Sequence, residues 1–72
     1  MKTCEKDLIV FLLYNECQIV DIVKTGPRKC EFEFGKESLP YLSEWQSFKP
    51  ILVDLRRLLA AQQHFFTLIY DT

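Results

Sequence analysis

The sequence predicts a single α+β domain over residues 1–72 with an antiparallel β-hairpin, and two patterns carry that prediction. Lys29-Cys30-Glu31-Phe32-Glu33-Phe34 alternates polar with apolar residues, the period of a strand buried on one face. Leu55 to Ile69 instead repeats its apolar residues at helical spacing. Length and composition agree: 72 residues, 49% hydrophobic and 14% aromatic, with two glycines and three prolines, suit one small dense core and exclude a disordered or collagen-like chain. A chain this short buries only roughly 60% of its unfolded surface, so its large apolar share needs an explanation.

Taken in order, Thr3 can cap a first helix, with Glu5 and Asp7 in the turn where carboxylates favour the positive helix end. The run Leu8 to Tyr14 follows, and periodicity alone does not separate a buried strand from an all-round apolar helix. Cys17 to Lys24 is rich in β-branched residues. Thr25-Gly26-Pro27-Arg28 supplies turn chemistry between it and the alternating strand, which places a hairpin tip near Gly26. Cys30, Phe32 and Phe34 then share one sheet face and Lys29, Glu31 and Glu33 the other. Gly35 ends that strand. Ser38 can cap a short helix carrying Leu39, Leu42 and Trp45, with Pro40 tolerated in its first turn. Phe48-Lys49-Pro50 breaks it, and Ile51-Leu52-Val53 is extended, as a short third strand or as a lead-in to the next element. Asp54 caps a last helix that runs to about Tyr70. Leu55, Leu58, Leu59, Gln62, Phe65, Phe66 and Ile69 share its apolar face.

Nine basic against ten acidic residues leave a net charge of −1, which gives no bulk electrostatic case for nucleic acid or an anionic membrane. The seven-residue apolar run Leu8 to Tyr14 is far short of the roughly 20 residues a membrane span needs. Cys4, Cys17 and Cys30 are an odd set with no CxxC pair and one histidine, His64, in the chain. They read as inert thiols in a reducing cytoplasm, and neither a disulfide framework, nor a metal centre, nor a cofactor is expected. The chain shows no secretory leader pattern, linker, low-complexity stretch or internal repeat.

Several of these segments together resemble a small family of domains of unknown function from bacterial, phage and mobile-element genomes. Lys2-Thr3 and the apolar run through Leu13 carry the resemblance, with Gly26-Pro27-Arg28-Lys29-Cys30-Glu31-Phe32-Glu33-Phe34, the stretch Val53 to Gln62, and Leu68-Ile69-Tyr70. It implies the order helix, two strands, two helices, hence α-β-β-α-α with a helical first segment. The chain departs from that pattern at Glu16, where the family often has glycine, and at Leu55, where it often has proline. The resemblance implies no catalytic motif.

A first helix that is apolar all round must be buried all round. One hairpin and one partner helix do not cover it in so small a domain, so the surplus is expected at a contact with a second copy or with another protein, encoded by a host or by the element itself. Ile9, Val10 and Leu13, with Phe65 and Leu68 of the last helix, are the expected contact surface of a homodimer. The competing expectation is that the short helix bearing Leu42 and Trp45 completes the burial. Gln62, amid the last apolar face, needs a partner: a backbone carbonyl or Asn15, or a register-setting contact between helices.

Two basic groups, Lys24, Arg28 and Lys29 at the hairpin tip and Lys49, Arg56 and Arg57 near the last helix, lie near Tyr41, Trp45 and Phe48 in sequence. They define an alternative, nucleic-acid binding by phosphate contacts and base stacking. Mixed charge beside them, from Glu31, Glu33 and Asp54, suits an ordinary solvated surface equally. His64 falls off the apolar face, and Glu31 and Glu33 lie on an exposed strand face with no pocket to shift either carboxyl. With two glycines there is no phosphate loop, so a non-catalytic interaction or regulatory module is expected.

Overall fold

The computed structural model describes residues 1–27 and 29–70. Its elements are β1 (Lys2–Thr3), α1 (Lys6–Tyr14), β2 (Ile19–Gly26), β3 (Lys29–Phe34), a 3₁₀ turn (Lys36–Ser38), α2 (Leu39–Gln46) and α3 (Leu55–Tyr70). The result is a small α+β domain, with the hairpin and the helices where their patterns place them. The third strand is not Ile51–Val53, which lies outside any helix or strand, but Lys2–Thr3, which pairs antiparallel with β3 in a sheet of order β1-β3-β2. Thr3 therefore does not cap α1. Glu5 holds that position, and the Thr3 hydroxyl accepts its N–H at 3.1 Å.

β3 buries Cys30, Phe32 and Phe34 against the helices and turns Lys29, Glu31 and Glu33 away. Its partner β2 reaches the same core by an irregular route. Ile19 pairs with Phe34 and Ile22 with Phe32, three residues apart on one strand and two on the other, with a register shift between Ile19 and Asp21. The extra residue, Val20, brings both isoleucines onto the core face, which a regular strand forbids at that spacing. A second shift lies between Lys24 and Gly26. Phe65 of α3 seats on Phe32 with ring centroids 5.7 Å apart.

α1 buries Leu8, Ile9, Val10, Phe11 and Leu12. Its outer face is closed by α2, whose Tyr41 and Trp45 rings lie 6.5 and 5.4 Å from the Phe11 ring. The short helix thus covers α1, and the expectation of an α1 contact surface is corrected. Ile9, Val10 and Phe65 are buried inside the chain, and the half-buried Leu13 and Leu68 pack on the same core.

α1 ends in two reversed bonds, Glu16 N–H to Leu13 C=O at 2.9 Å and Cys17 N–H to Leu12 C=O at 3.0 Å. This is the Schellman closure, which requires a left-handed residue, usually glycine, just past the helix cap. Glu16 occupies it at φ 60°, the position at which the chain departs from the resembled family's glycine. A left-handed non-glycine residue costs about 1–2 kcal/mol, partly offset by the chain entropy glycine adds to the unfolded state. Glu16→Gly is therefore expected to stabilise the domain by about 0.5–1 kcal/mol, seen as a higher urea midpoint at unchanged slope; a lower midpoint would contradict this reading.

Cys17, next in the chain, is buried, and burial together with the nearby Glu37 carboxylate pushes its thiol pKa up. As pH rises through the ordinary thiol range near 8.5, the unfolded chain gives up this proton before the folded one does. The stability contribution is therefore intact below that range and is lost above it. A Cys17→Ala variant should lose less stability between neutral pH and pH 10 than the parent in paired urea titrations; equal losses would refute the assignment.

Candidate functional site

The α2–α3 connection, residues 47–54, shapes the most distinctive surface. Asp54 caps α3 by accepting the Arg57 N–H at 3.2 Å, as its sequence position predicts. The Asp54 N–H donates to the Tyr14 hydroxyl at 2.8 Å, while the Arg57 guanidinium lies 4.7 Å from the Tyr14 ring centroid and donates to the Tyr14 carbonyl at 3.3 Å. This clasp ties the start of α3 to the end of α1 and fixes where the connection lands.

Between that landing and α2 the connection stands off the core and leaves a cavity of about 300 Å³. Val10 and Phe11 of α1, Trp45 of α2, Ile51, Val53 and Leu58 form its apolar wall, with Lys6, Asp7 and Gln62 as its polar groups. Its size is at the lower end of the roughly 300–1,000 Å³ that ligand pockets occupy. Ile51 and Val53 line the cavity, whereas Leu52 between them is 100% exposed. That alternation is the period of extended chain, and no backbone hydrogen bond within the described residues engages Ile51 to Val53.

Gln62 takes neither partner expected of it. Asn15 instead donates to the Phe11 carbonyl at 2.9 Å, and the half-buried Gln62 amide makes no hydrogen bond within the described residues. The apolar surplus lies here: Phe48 is 94% exposed, and Leu55 and Leu59 of α3 are more than half exposed. Phe48 also sits at φ 58°, a strained conformation for a bulky residue. Sequence patterning assigned Leu55 and Leu59 to the core face, gave Phe48 a role only in the base-stacking alternative, and gave Leu52 no contact role. Only the excess of apolar residues signalled such a surface, without its address.

The two basic groups are not brought together. The hairpin tip borders a groove formed by Cys4, Lys6, Thr25, Lys29 and Cys30 with Phe65, Phe66 and Ile69 of α3. Arg56 and Arg57 begin that helix, roughly 15 Å away along its axis at 1.5 Å per residue. Lys24, Lys29, Lys49 and Arg56 are exposed, Arg57 is held in the Tyr14 clasp, and Arg28 lies outside the described residues. Tyr41 and Trp45 are committed to Phe11, which leaves Phe48 as the accessible aromatic of the three.

His64 lines a shallow groove with Leu13, Tyr14, Glu16 and Arg57. Cys4 is exposed, Cys17 and Cys30 are buried, and all three are free thiols. Among the described residues no group of three or more His, Cys, Asp or Glu side chains is placed to hold a metal ion, and no helix is long and apolar enough to cross a membrane. The described residues thus form a small α+β domain in which Phe48, Leu52, Leu55 and Leu59 are exposed apolar side chains. No protein family, curated protein or solved structure matches the chain.

Proposed function

We propose that the chain is a non-catalytic, self-associating interaction module. The accessory kind carried by phages or other mobile elements is the setting that its resemblance implies. The observation that carries the reading is that Phe48, Leu52, Leu55 and Leu59 are each more than half exposed, within a segment whose Ile51, Val53 and Leu58 line a cavity with apolar walls. Single exposed apolar side chains are ordinary, but a clustered set on so small a domain marks a contact surface. Light scattering or sedimentation across the micromolar range tests self-association: a mass that rises toward twice the chain mass supports it, and a constant monomer mass overturns it.

A second reading, nucleic-acid binding, draws on the exposed Phe48 beside Lys49, with Arg56 also exposed. An exposed aromatic next to cations can stack a base and hold a phosphate. Polarisation titrations with single-stranded and duplex oligonucleotides at about 50 mM salt, where such contacts are strongest, should show binding that Phe48→Ala weakens. No binding there eliminates this reading.

A further inference from the structure

Three exposed apolar residues of α3, with the half-buried Phe66, form a stripe spaced symmetrically about the helix's own midpoint. Leu55, Leu59, Phe66 and Tyr70 are separated by four, seven and four residues, so the stripe reads the same from either end, and its centre falls between Gln62 and Gln63. Eleven residues are close to three helical turns, so Leu55 aligns with Phe66 and Leu59 with Tyr70 on one shoulder of the helix. Leu55, Leu59 and Tyr70 are each more than half exposed.

Beside the stripe, Gln63, Phe66, Thr67 and Tyr70 surround a surface hollow of about 450 Å³. Their spacing of zero, three, four and seven is the four-residue hole that receives a side chain in knobs-into-holes packing. Phe66 and Tyr70 form its apolar sides, stacked at 6.3 Å between ring centroids.

We infer that α3 pairs antiparallel with α3 of a second copy, across a two-fold axis between Gln62 and Gln63. The inference rests on the self-association reading and supplies its geometry. About this axis Leu59 of one copy falls opposite the centre of the other's hollow, and Leu55 falls opposite Tyr70. The contact is isologous, each knob meeting the same hole in reverse. At the axis the Gln62 amide of one copy faces the Gln63 amide of the other. An amide both donates and accepts, so the two can bond across the two-fold, and Gln62 has no side-chain hydrogen-bond partner within its own chain's described residues. Such a polar pair in an apolar seam fixes register.

Charge fits the same orientation. α3 carries Arg56 and Arg57 in its first turn and no basic residue in its last, an arrangement that its own dipole disfavours. Antiparallel pairing brings Arg56 toward the negative end of the neighbouring helix, while Arg57 stays in its own chain's Tyr14 clasp on the opposite side of α3. The stripe itself holds no charged residue. Leu55, Leu59 and Tyr70 are 65%, 54% and 60% exposed and Phe66 is half-buried, so with aromatic side chains at about 150–250 Å² each the stripe offers roughly 400 Å² per copy. A total of about 800 Å² is at the small end of protein contacts, so association is expected to be weak and reversible.

Disulfide trapping in a Cys4→Ser background tests the geometry. Gln63→Cys lies next to the axis and should give covalent dimers rapidly under mild oxidation. Leu55→Cys lies opposite Tyr70, far from its own copy, and should not. Leu59→Glu should weaken association at least tenfold while its circular dichroism and melting temperature stay near the parent's, because the side chain is half exposed. Efficient trapping through Leu55→Cys, or a Leu59→Glu dimer of unchanged strength, overturns this pairing and leaves self-association standing. A parent chain that is monomeric throughout overturns both.

Discussion

Phe32→Ala is expected to leave the domain largely unfolded at 37 °C. Phe32 is fully buried on the central strand, paired with Thr3 of β1 on one side and Ile22 of β2 on the other. Its ring contacts those of Phe34 and Phe65 at 6.4 and 5.7 Å between centroids. Truncating a buried phenylalanine costs about 3–5 kcal/mol, and at roughly 0.05–0.15 kcal/mol per residue the total stability of a domain this long is about 4–11 kcal/mol. One substitution therefore removes a third of the stability or all of it. A thermal melt followed by circular dichroism reads the loss, with Phe32→Leu as the volume-sparing control that should retain a cooperative transition. A Phe32→Ala melt within a few degrees of the parent would show that the sheet–helix core is not centred where the structure puts it.

Trp45→Ala is expected to act differently, by releasing one element. α2 contains no fully buried residue, and its ring contacts are those of Tyr41 and Trp45 with Phe11. Removing the indole should cost about 2–3 kcal/mol, below the value for a wholly buried tryptophan because the residue is only partly buried. It should also uncover the outer face of α1. Hydrogen exchange should then quicken across residues 39–46 while β2 and β3 keep most of their protection, and a dye that binds apolar surface should gain fluorescence. Unchanged exchange in α2 would mean that something other than this aromatic clasp holds it.

The parts of the fold that depend on local rules were legible in the chain. The alternation of β3, the turn at Gly26 and the Asp54 cap each carry their cause within a few residues. β1 does not, because Lys2–Thr3 is a strand only through β3, whose Phe34 N–H donates to the Met1 carbonyl at 2.8 Å. Burial of α1 was equally a long-range matter. An all-round apolar helix announces that it must be covered, but Tyr41 and Trp45, thirty or more residues later, decide what covers it. The α1 residues expected at a contact are buried for that reason: composition counts the apolar surplus and assigns it to the most apolar segment, whereas packing covers that segment and leaves Phe48, Leu52, Leu55 and Leu59 exposed. The symmetry of the α3 stripe is written in the sequence, yet it has meaning only once Leu55 and Leu59 are known to face outward.

The two register shifts in β2 also bear on how the molecule behaves in a crowd. β2 is an edge strand with Val20 and Val23 exposed, and a straight eight-residue edge of that kind is a template on which other chains can add themselves. The kinks at Val20 and Thr25 interrupt the row of backbone donors and acceptors, and Asp21 and Lys24 place charges along it. Deleting Val20 would leave the two isoleucines two residues apart, both still on the core face of a now regular strand, and would leave a smoother edge, so a change that looks like regularisation is expected to convert a dispersed protein into one that seeds fibres.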